Sequence, residues 1–458
     1  MHIKVPHFRV PRRFGMTGSR GTGPDSAAVS ALLASLAGTD PAVCEMAVDM
    51  LGNGWGWHGA GSPANSLHDQ GAAVRSQRIA WQYPVTDPKA IPLLAASLGR
   101  PEPCVRRASA RLLGHTESRA AVRALLDGLR HSDARVREAA ALGLGIGEDS
   151  TGYDPLVQAL ADRDPEVVRM SAWALGEYED PRAVPVLVKL LSRPEAGIRA
   201  AAAGALGDIE DPAATRPLLP LLNDRDPIVR SSAVGALGNI EDSTATAALI
   251  GALDDKDREV RLEVVMALGS IEDSRATMPL VAVLRDSDPE IREAAANALG
   301  SIEDRRAVSG LVRALEDQST AVRRAAADAL GSIEDPDAAD GLARAVSDGD
   351  REVRLAAIQA LGSLDDLNRA PTALIGALKD RDHEVQLKAV ESLGNIGDPA
   401  AVAALGGLIR SESVELRRAA VEALSNIEDG SVAQHLVAAM KDKDPQVRRR
   451  AAEALGDR

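Results

Sequence analysis

The chain has 458 residues, a formal net charge of −14, and 45% hydrophobic but only 2% aromatic residues. Its length suggests about three globular domains of roughly 150 residues each. No stretch approaches the roughly 20 apolar residues of a membrane-spanning helix, and no apolar export-signal segment follows Arg12 and Arg13. Because phosphate contacts require a basic surface, the acidic charge disfavours nucleic acid. We therefore expect a cytoplasmic protein without a membrane segment.

The first 24 residues differ in composition from the rest of the chain. They contain no acidic residue, and their basic residues are Lys4, Arg9, Arg12, Arg13 and Arg20. With several prolines and glycines, this composition predicts a basic, disordered N-terminal arm over residues 1–24. Two roles fit the arm: docking to an anionic surface or nucleic acid, or an unstructured leader without a function of its own.

From about residue 25 to the C-terminus, one motif recurs with a fixed period. It reads Asp-Pro-x-Val-Arg-x-x-Ala-x-x-Ala-Leu-Gly-x-Ile-Glu-Asp, and its glycine recurs every 31 residues, with one inserted residue late in the chain. The glycine, or the residue in its place, is Gly52, Tyr83, Gly114, Gly145, Gly176, Gly207, Gly238, Gly269, Gly300, Gly331, Gly362, Gly394, Ser425 and Gly456. Such a period marks a stacked repeat architecture. It replaces the three-domain estimate with one solenoid over residues 25–458.

The second 31-residue repeat lacks the pattern of a first helix. Residues 53–71 form a Gly/Trp-rich segment that contains Trp55, Trp57 and His58. Two interpretations fit this degenerate repeat. Either the tryptophans fill the space of the lost helix, as large aromatic side chains do, or the loop presents them with His58 to a ligand. A phosphate loop is rejected, because such loops follow a strand and open a helix.

Each regular unit contains two helical patterns. In one unit, Asp273 or Ser274 is a candidate cap of the first helix, and Pro279 is expected to bend or delay it. The second helix of that unit has Asp288 as its N-cap and proline at the first helical position. We expect Gly300 to end it in the left-handed conformation. Two short antiparallel helices per unit predict an all-α solenoid.

The second helices divide into a core face and a variable face. Counting back from the repeated glycine, positions −9, −5, −2 and −1 are Val, Ala, Ala and Leu in nearly every unit. They lie on one stripe of the helix, which predicts the core. Positions −10, −7, −6 and −3 lie on the opposite stripe and vary, which predicts an exposed surface.

Position −8 is arginine in nine of the eleven units from Gly145 onward. Acidic residues follow the glycine with similar regularity: Asp211, Asp242, Asp273, Asp304 and Asp335. Because stacked repeats need matching nearest-neighbour interfaces, we expect the arginines and these aspartates to form an inter-repeat ladder.

The repeated unit resembles the HEAT-like repeats first associated with phycobilin lyases. This resemblance implies an all-α, right-handed α-solenoid of about fourteen 31-residue HEAT-like helix pairs. It also implies that the second helices line a concave groove, so that their variable positions are the candidate binding surface. The family serves many unrelated binding functions, so the fold does not by itself name a function.

Two sets of variable-face residues are candidates for binding a partner. The apolar set is Met170, Trp173, Ile228, Leu262 and Met266, and the acidic set at position −10 includes Glu166, Glu259, Glu290 and Glu352. Contiguous exposed apolar residues mark contact sites, whereas scattered ones are ordinary, as are charges on a solvated face. In the binding interpretation, Trp173 anchors the partner and the acidic set selects a basic or extended segment.

No residue pattern predicts catalysis, a metal site or a cofactor. The histidines do not stand at metal-ligand spacing, and the sequence has one His-Glu pair, His383-Glu384. The leading hypothesis is therefore a non-catalytic protein-interaction scaffold. An alternative that the resemblance implies is a bilin-lyase-like or chaperone-like enzyme subunit that handles a tetrapyrrole carrier protein. Nucleic-acid binding is a third class of function. The last repeat is not followed by a polar capping helix, so end-to-end self-association is a further hypothesis.

We expect the purified protein to be helical and elongated, because a solenoid is one continuous stack of repeats. Circular dichroism should show no strong β contribution, and small-angle X-ray scattering should give the profile of an extended particle. A compact globular profile would contradict the single solenoid over residues 25–458.

Overall fold

The computed structural model describes residues 24–37, 85–116, 118–365 and 367–456. The predicted N-terminal arm, apart from Pro24, and the Gly/Trp-rich segment at 53–71 lie outside these residues. All regular elements in the described ranges are helices, without a strand, as the sequence predicts. Twelve helix pairs are described in full, three in a first compact unit (residues 1–183) and nine in a second (residues 184–458).

Each pair consists of a first and a second helix. The helices of the first unit are α1 (Ser26–Leu36), α2 (Ala90–Ser97), α3 (Pro103–Gly114), α4 (Arg119–Gly128), α5 (Ala134–Gly147), α6 (Tyr153–Ala159) and α7 (Pro165–Glu177). Those of the second unit are α8 (Val184–Leu190), α9 (Ala196–Ile209), α10 (Thr215–Leu218), α11 (Pro227–Ile240), α12 (Thr246–Gly251), α13 (Arg258–Ile271), α14 (Thr277–Val283), α15 (Pro289–Ile302), α16 (Val308–Ala314), α17 (Thr320–Ile333), α18 (Ala339–Ala345), α19 (Arg351–Ser363), α20 (Thr372–Gly376), α21 (His383–Ile396), α22 (Val402–Leu408), α23 (Val414–Ser425), α24 (Val432–Ala439) and α25 (Pro445–Gly456). From α2 onward, even-numbered helices are first helices and odd-numbered helices are second helices.

Most first helices begin after a short 3-10 turn, which Pro279 does not cause. In its repeat, Asp273 caps the turn by accepting a hydrogen bond from the Arg275 backbone N–H at 2.9 Å, and α14 follows. The next first helix, α16, has no proline and still begins after a 3-10 turn over Arg305–Ala307. Proline is tolerated in α14 because it stands in the first turn, where N–H groups lack intrahelical partners.

Most second helices continue past the repeated glycine, so the prediction that Gly300 ends its helix was wrong. Gly300 lies inside α15, and the left-handed residue that ends the helix is Glu303, with φ of 54°. The same conformation occurs at Glu148, Glu179, Glu210, Glu241, Glu272 and Glu334. A β-carbon on Gly300 would lie 3.0 Å from both Cα and Cβ of Ala329 in the next second helix. The glycine is therefore required for close approach between helices rather than for a left-handed turn.

This close approach predicts opposite effects for two glycines of α9. A β-carbon on Gly207 would lie 2.6 Å from Cα of Ala236, whereas one on Gly204 would meet nothing within 4 Å. Gly207→Ala should destabilise the protein by about 1–3 kcal/mol through overpacking. Gly204→Ala should stabilise it by up to about 1 kcal/mol, because alanine is the better helix former. Thermal unfolding of the two variants measures both effects; equal shifts of the same sign would contradict this packing role.

An ion-pair ladder joins neighbouring repeats, as predicted. Arg230 donates from Nε and Nη2 to the two carboxylate oxygens of Asp255, each at 2.8 Å, and from Nη1 to the Asp224 carbonyl at 2.8 Å. The remaining pairs with N–O distances of 2.7 to 2.9 Å are Arg137–Asp162, Arg199–Asp224, Arg292–Asp317, Arg323–Asp348, Arg354–Asp380 and Arg417–Asp442. Each aspartate lies in the loop before a second helix.

The acidic partners of this ladder are therefore not the ones predicted. Position −8 is in the first turn of a second helix, so it reaches the interhelical loop of the next repeat. The aspartate after the glycine lies at the other end of a helix about 20 Å long. Those aspartates join repeats differently: Asp273 accepts a hydrogen bond from Thr246 Oγ1, and Asp304 accepts one from Thr277 Oγ1, each at 3.0 Å.

For the repeat that ends at Gly394, both members of the ladder pair are replaced. Gln386 occupies position −8 and donates from Nε2 to the Asp380 carbonyl at 2.9 Å, which preserves the backbone contact that arginine makes elsewhere. Ser411 stands where the next aspartate would be and accepts from the Ser413 backbone N–H at 3.2 Å. Arginine and aspartate are lost together here, so neither is left as an unpaired charge.

We expect Arg230→Ala to lower the free energy of unfolding by about 3 kcal/mol, because it leaves the nearly buried Asp255 carboxylate without its cation. The double variant Arg230→Gln/Asp255→Ser copies the natural pair at 386 and 411 and should recover most of that loss. Chemical denaturation of the three proteins tests this expectation. A double variant no more stable than Arg230→Ala would show that the ladder does not act as a pair.

Candidate protein-interaction surface

The variable positions −10, −7, −6 and −3 lie on one face of each second helix, here called the second-helix face. The predicted core stripe is confirmed: in α11, Val229, Ala233 and Leu237 are fully buried. On the opposite stripe, positions −10 and −3 are exposed in α13, whereas Leu262 and Glu263 at −7 and −6 are half-buried. Residues at the variable positions thus form both the half-buried floor of this face and its exposed edges.

In the first unit, the predicted residues Met170 and Trp173 lie on α7 and are half-buried. Met170 lines a cavity of about 50 Å³ together with Arg106, Arg135 and Glu138. A β-carbon on Gly145 would lie 2.9 Å from Cζ3 of Trp173. The tryptophan ring therefore packs against α5, and part of its surface contributes to repeat stacking rather than to an open contact site.

Charges of both signs surround this cavity in the first unit. Arg169 forms an ion pair with the exposed Glu166 across one helical turn, with an Nε–Oε2 distance of 2.8 Å. Burial raises the pKa of the Glu138 carboxyl group, and the positive charge of Arg169 opposes that shift. The first-unit face thus combines arginines, glutamates and apolar side chains.

In the second unit, two large apolar side chains project from the second-helix face. Ile228 on α11 is 67% exposed and Met266 on α13 is 53% exposed, while Leu262 is half-buried beside them. The remaining variable positions of α9 and α11 carry small residues: Gly197, Ala200, Ala201, Gly204, Ser231, Ser232 and Gly235. The apolar side chains therefore stand beside a low, open floor.

The predicted acidic row is largely occupied by ion pairs between repeats. Arg258 contacts Asp288 at 2.5 Å and Glu259 at 2.6 Å, and it also pairs with Glu290. Arg351 contacts Glu352 at 2.5 Å and pairs in the same way with two acidic residues of the next repeat. These arginines reduce the net negative charge that the row presents. A role of the row in partner binding stays a prediction.

Sequence reasoning missed Glu263, a half-buried glutamate at position −6 of this face. Burial raises the pKa of its carboxyl group, and the negative charge of Glu259 raises it further. Its Oε1 atom would lie 2.9 Å from a β-carbon on Gly235, so the carboxylate lies over that glycine. Position −6 holds Ala or Ser in the adjacent repeats. Comparing that position from repeat to repeat would have revealed the glutamate.

The loop site, a metal site and a membrane segment concern parts of the molecule other than the second-helix face. The alternative loop site, Trp55, Trp57 and His58, lies outside the described residues. In the described ranges, no group of three or more His, Cys, Asp or Glu side chains is arranged to hold a metal ion. None of the helices there is long and apolar enough to cross a membrane.

A search of curated proteins found no match. Among solved structures, the chain is similar to an engineered protein, with 26% identity over 67% of this chain and 98% of that one and a TM-score of 0.45. It is also similar to a chain from a structure of Kap95p with RanGDP, with 16% identity over 93% of this chain and 65% of that one and a TM-score of 0.51. The latter similarity is one of fold alone.

A family model for HEAT repeats matches successive, partly overlapping segments of the chain. The matched residues are 72–145, 91–171, 153–237, 215–287, 277–362 and 370–456. They cover most of the sequence and coincide with the helix pairs described above. The chain therefore belongs to the HEAT-repeat family.

Proposed function

We propose that this protein is a non-catalytic interaction scaffold that binds an extended segment of a partner protein on its second-helix face. The observation that carries the proposal is the exposure of Ile228 and Met266, at 67% and 53%, beside the open floor of the second unit. Apolar side chains that stand in solvent beside small residues are candidates for desolvation by a partner.

The repeat architecture supports this proposal on energetic grounds. The helix pairs hold the floor and the apolar side chains on regular elements that are packed through glycine–alanine contacts and the arginine ladder. Little conformational freedom is then lost in the scaffold when a partner binds, so more of the contact energy appears as affinity. Met170 and Trp173 in the first unit are further candidate contacts, with the reservation that the tryptophan ring also packs on Gly145.

The other function classes rest on different observations. Handling of a tetrapyrrole carrier protein by a bilin-lyase-like or chaperone-like subunit depends on the resemblance to phycobilin-lyase repeats and on the segment with Trp55, Trp57 and His58. Nucleic-acid binding depends on the basic residues 1–24. Both functions stay alternative predictions. A cytoplasmic location, the absence of a cofactor and end-to-end self-association also stay predictions.

We expect the double variant Ile228→Ser/Met266→Ser to lose the partner while remaining folded. Affinity purification with wild-type and variant protein, followed by quantitative mass spectrometry, identifies the proteins that are lost. Removing two desolvated apolar contacts should weaken binding by on the order of 2 kcal/mol, or about thirty-fold, in a titration with the identified partner.

Met278→Ser is the matched control for this experiment. Met278 is also 53% exposed, but it lies on the first helix α14. Its substitution should leave binding unchanged. If Met278→Ser weakens binding as much as the double variant, the effect is not specific to the second-helix face. If only changes at Trp55 and Trp57 abolish binding, the degenerate second repeat is the working site.

A further inference from the structure

We infer that Glu263 recognises a cation on the partner, so that the second-helix face selects extended segments that place a lysine or arginine side chain over Gly235, beside Met266. This inference rests on the proposed function and specifies the chemistry of the partner. In this inference, Glu263 recognises the charge of the partner, rather than the predicted acidic row at position −10.

The side chain of Glu263 is half-buried. Among the described residues, no hydrogen bond or ion pair reaches it, and the charged neighbour that affects it is another carboxylate, Glu259. Burial of a charged group is costly unless a partner of opposite charge or a hydrogen-bond donor compensates it. Glu263 therefore presents an uncompensated negative charge that a cation from a bound segment would pair with.

Other carboxylates of the same face differ from Glu263 in this respect. Glu259 and Glu290 share Arg258, and Glu352 shares Arg351 with a glutamate of the next repeat. Further along the chain, Glu391 pairs with Lys388 at 2.7 Å, and Glu422 pairs with Arg450. A cationic segment that bound to these residues would have to displace existing ion pairs. Binding to Glu263 requires no such exchange.

The surroundings of Glu263 fit the shape of a basic side chain. Met266 follows one helical turn later on the same face, so an aliphatic stem that lies along the methionine brings its charged head to the carboxylate. Methionine adapts readily to such a stem because it is unbranched. Gly235 keeps the space above the neighbouring helix open, which lets the partner backbone approach.

The position of Ile228 sets the spacing of a second contact. It precedes Gly235 by seven residues on α11 and lies on the same stripe, so the two positions are about 10 Å apart. An extended chain advances about 3.3 Å per residue. An apolar residue that contacts Ile228 should therefore stand three positions from the basic residue. The face predicts a short motif with one cation and one apolar side chain at that spacing.

Two substitutions alter this site without removing any large core side chain. Glu263→Gln keeps the shape of the side chain and removes its charge. Gly235→Ala adds a β-carbon 2.9 Å from the present Oε1 position, so the Glu263 side chain must shift. Gly204→Ala is the matched control, because it is the same substitution at the same position of the preceding repeat and meets nothing within 4 Å.

The test selects peptides from a phage-displayed library of random dodecamers on the full-length wild-type protein. Selected peptides should be enriched in a lysine or arginine three positions from an apolar residue. Synthetic copies should bind Glu263→Gln at least ten-fold more weakly than wild type. They should also bind Gly235→Ala more weakly and Gly204→Ala with wild-type affinity. Replacing the cation of the peptide by norleucine should cost affinity for wild type but little for Glu263→Gln, as expected for a direct pair.

The outcomes separate this inference from the proposed function. Peptides that bind wild type and Glu263→Gln equally, or that show no enriched cation, overturn the role of Glu263. If those same peptides are lost on Ile228→Ser/Met266→Ser, the proposed function stands without it. A library that yields no peptide sensitive to either set of changes overturns both. Circular dichroism and thermal unfolding establish that each variant is folded before binding is measured.

Discussion

The close approach of successive second helices is the constraint on which the repeat structure depends. Within the second unit, the repeated glycine of most second helices faces an alanine of the next, and a β-carbon on Gly207 or Gly394 would lie 2.6 or 2.8 Å from the alanine Cα. No larger residue fits without moving the backbone. The spacing between repeats is therefore set by the smallest side chains, and the large apolar residues fill the layer between first and second helices.

Polar contacts hold the ends of the helices in a matching register. In most second helices, the ladder arginine binds the interhelical loop of the next repeat through a carboxylate, as Arg230 binds Asp255. Threonine–aspartate hydrogen bonds join successive first helices, as between Thr246 and Asp273. These groups pair locally and repeat along the unit, so each interface contributes a similar nearest-neighbour term. Gln386 and Ser411 replace both partners together, so that interface contains neither member of the charge pair.

The second-helix face is available for recognition, because packing in the core uses the opposite stripe of each second helix. Much of the acidic row on this face forms ion pairs, such as that of Arg258 with Glu290. Ile228, Met266 and Glu263, which has no ion-pair partner among the described residues, lie around a floor of small side chains. The proposed binding surface is therefore small and chemically distinct, with an apolar contact and one uncompensated charge.

The sequence by itself determined the repeat length, the two helices per repeat, the Asp288 cap and the buried stripe, because apolar periodicity and capping are local properties of the chain. The same pattern located Ile228 and Met266 at exposed positions. Only the tertiary structure decided that Gly300 packs against Ala329 while Glu303 ends the helix, and that no cationic side chain of the described residues pairs with Glu263. Those features depend on which side chains of neighbouring repeats meet. A repeat period does not specify that geometry, because it gives the order of the helices but not the distance between them.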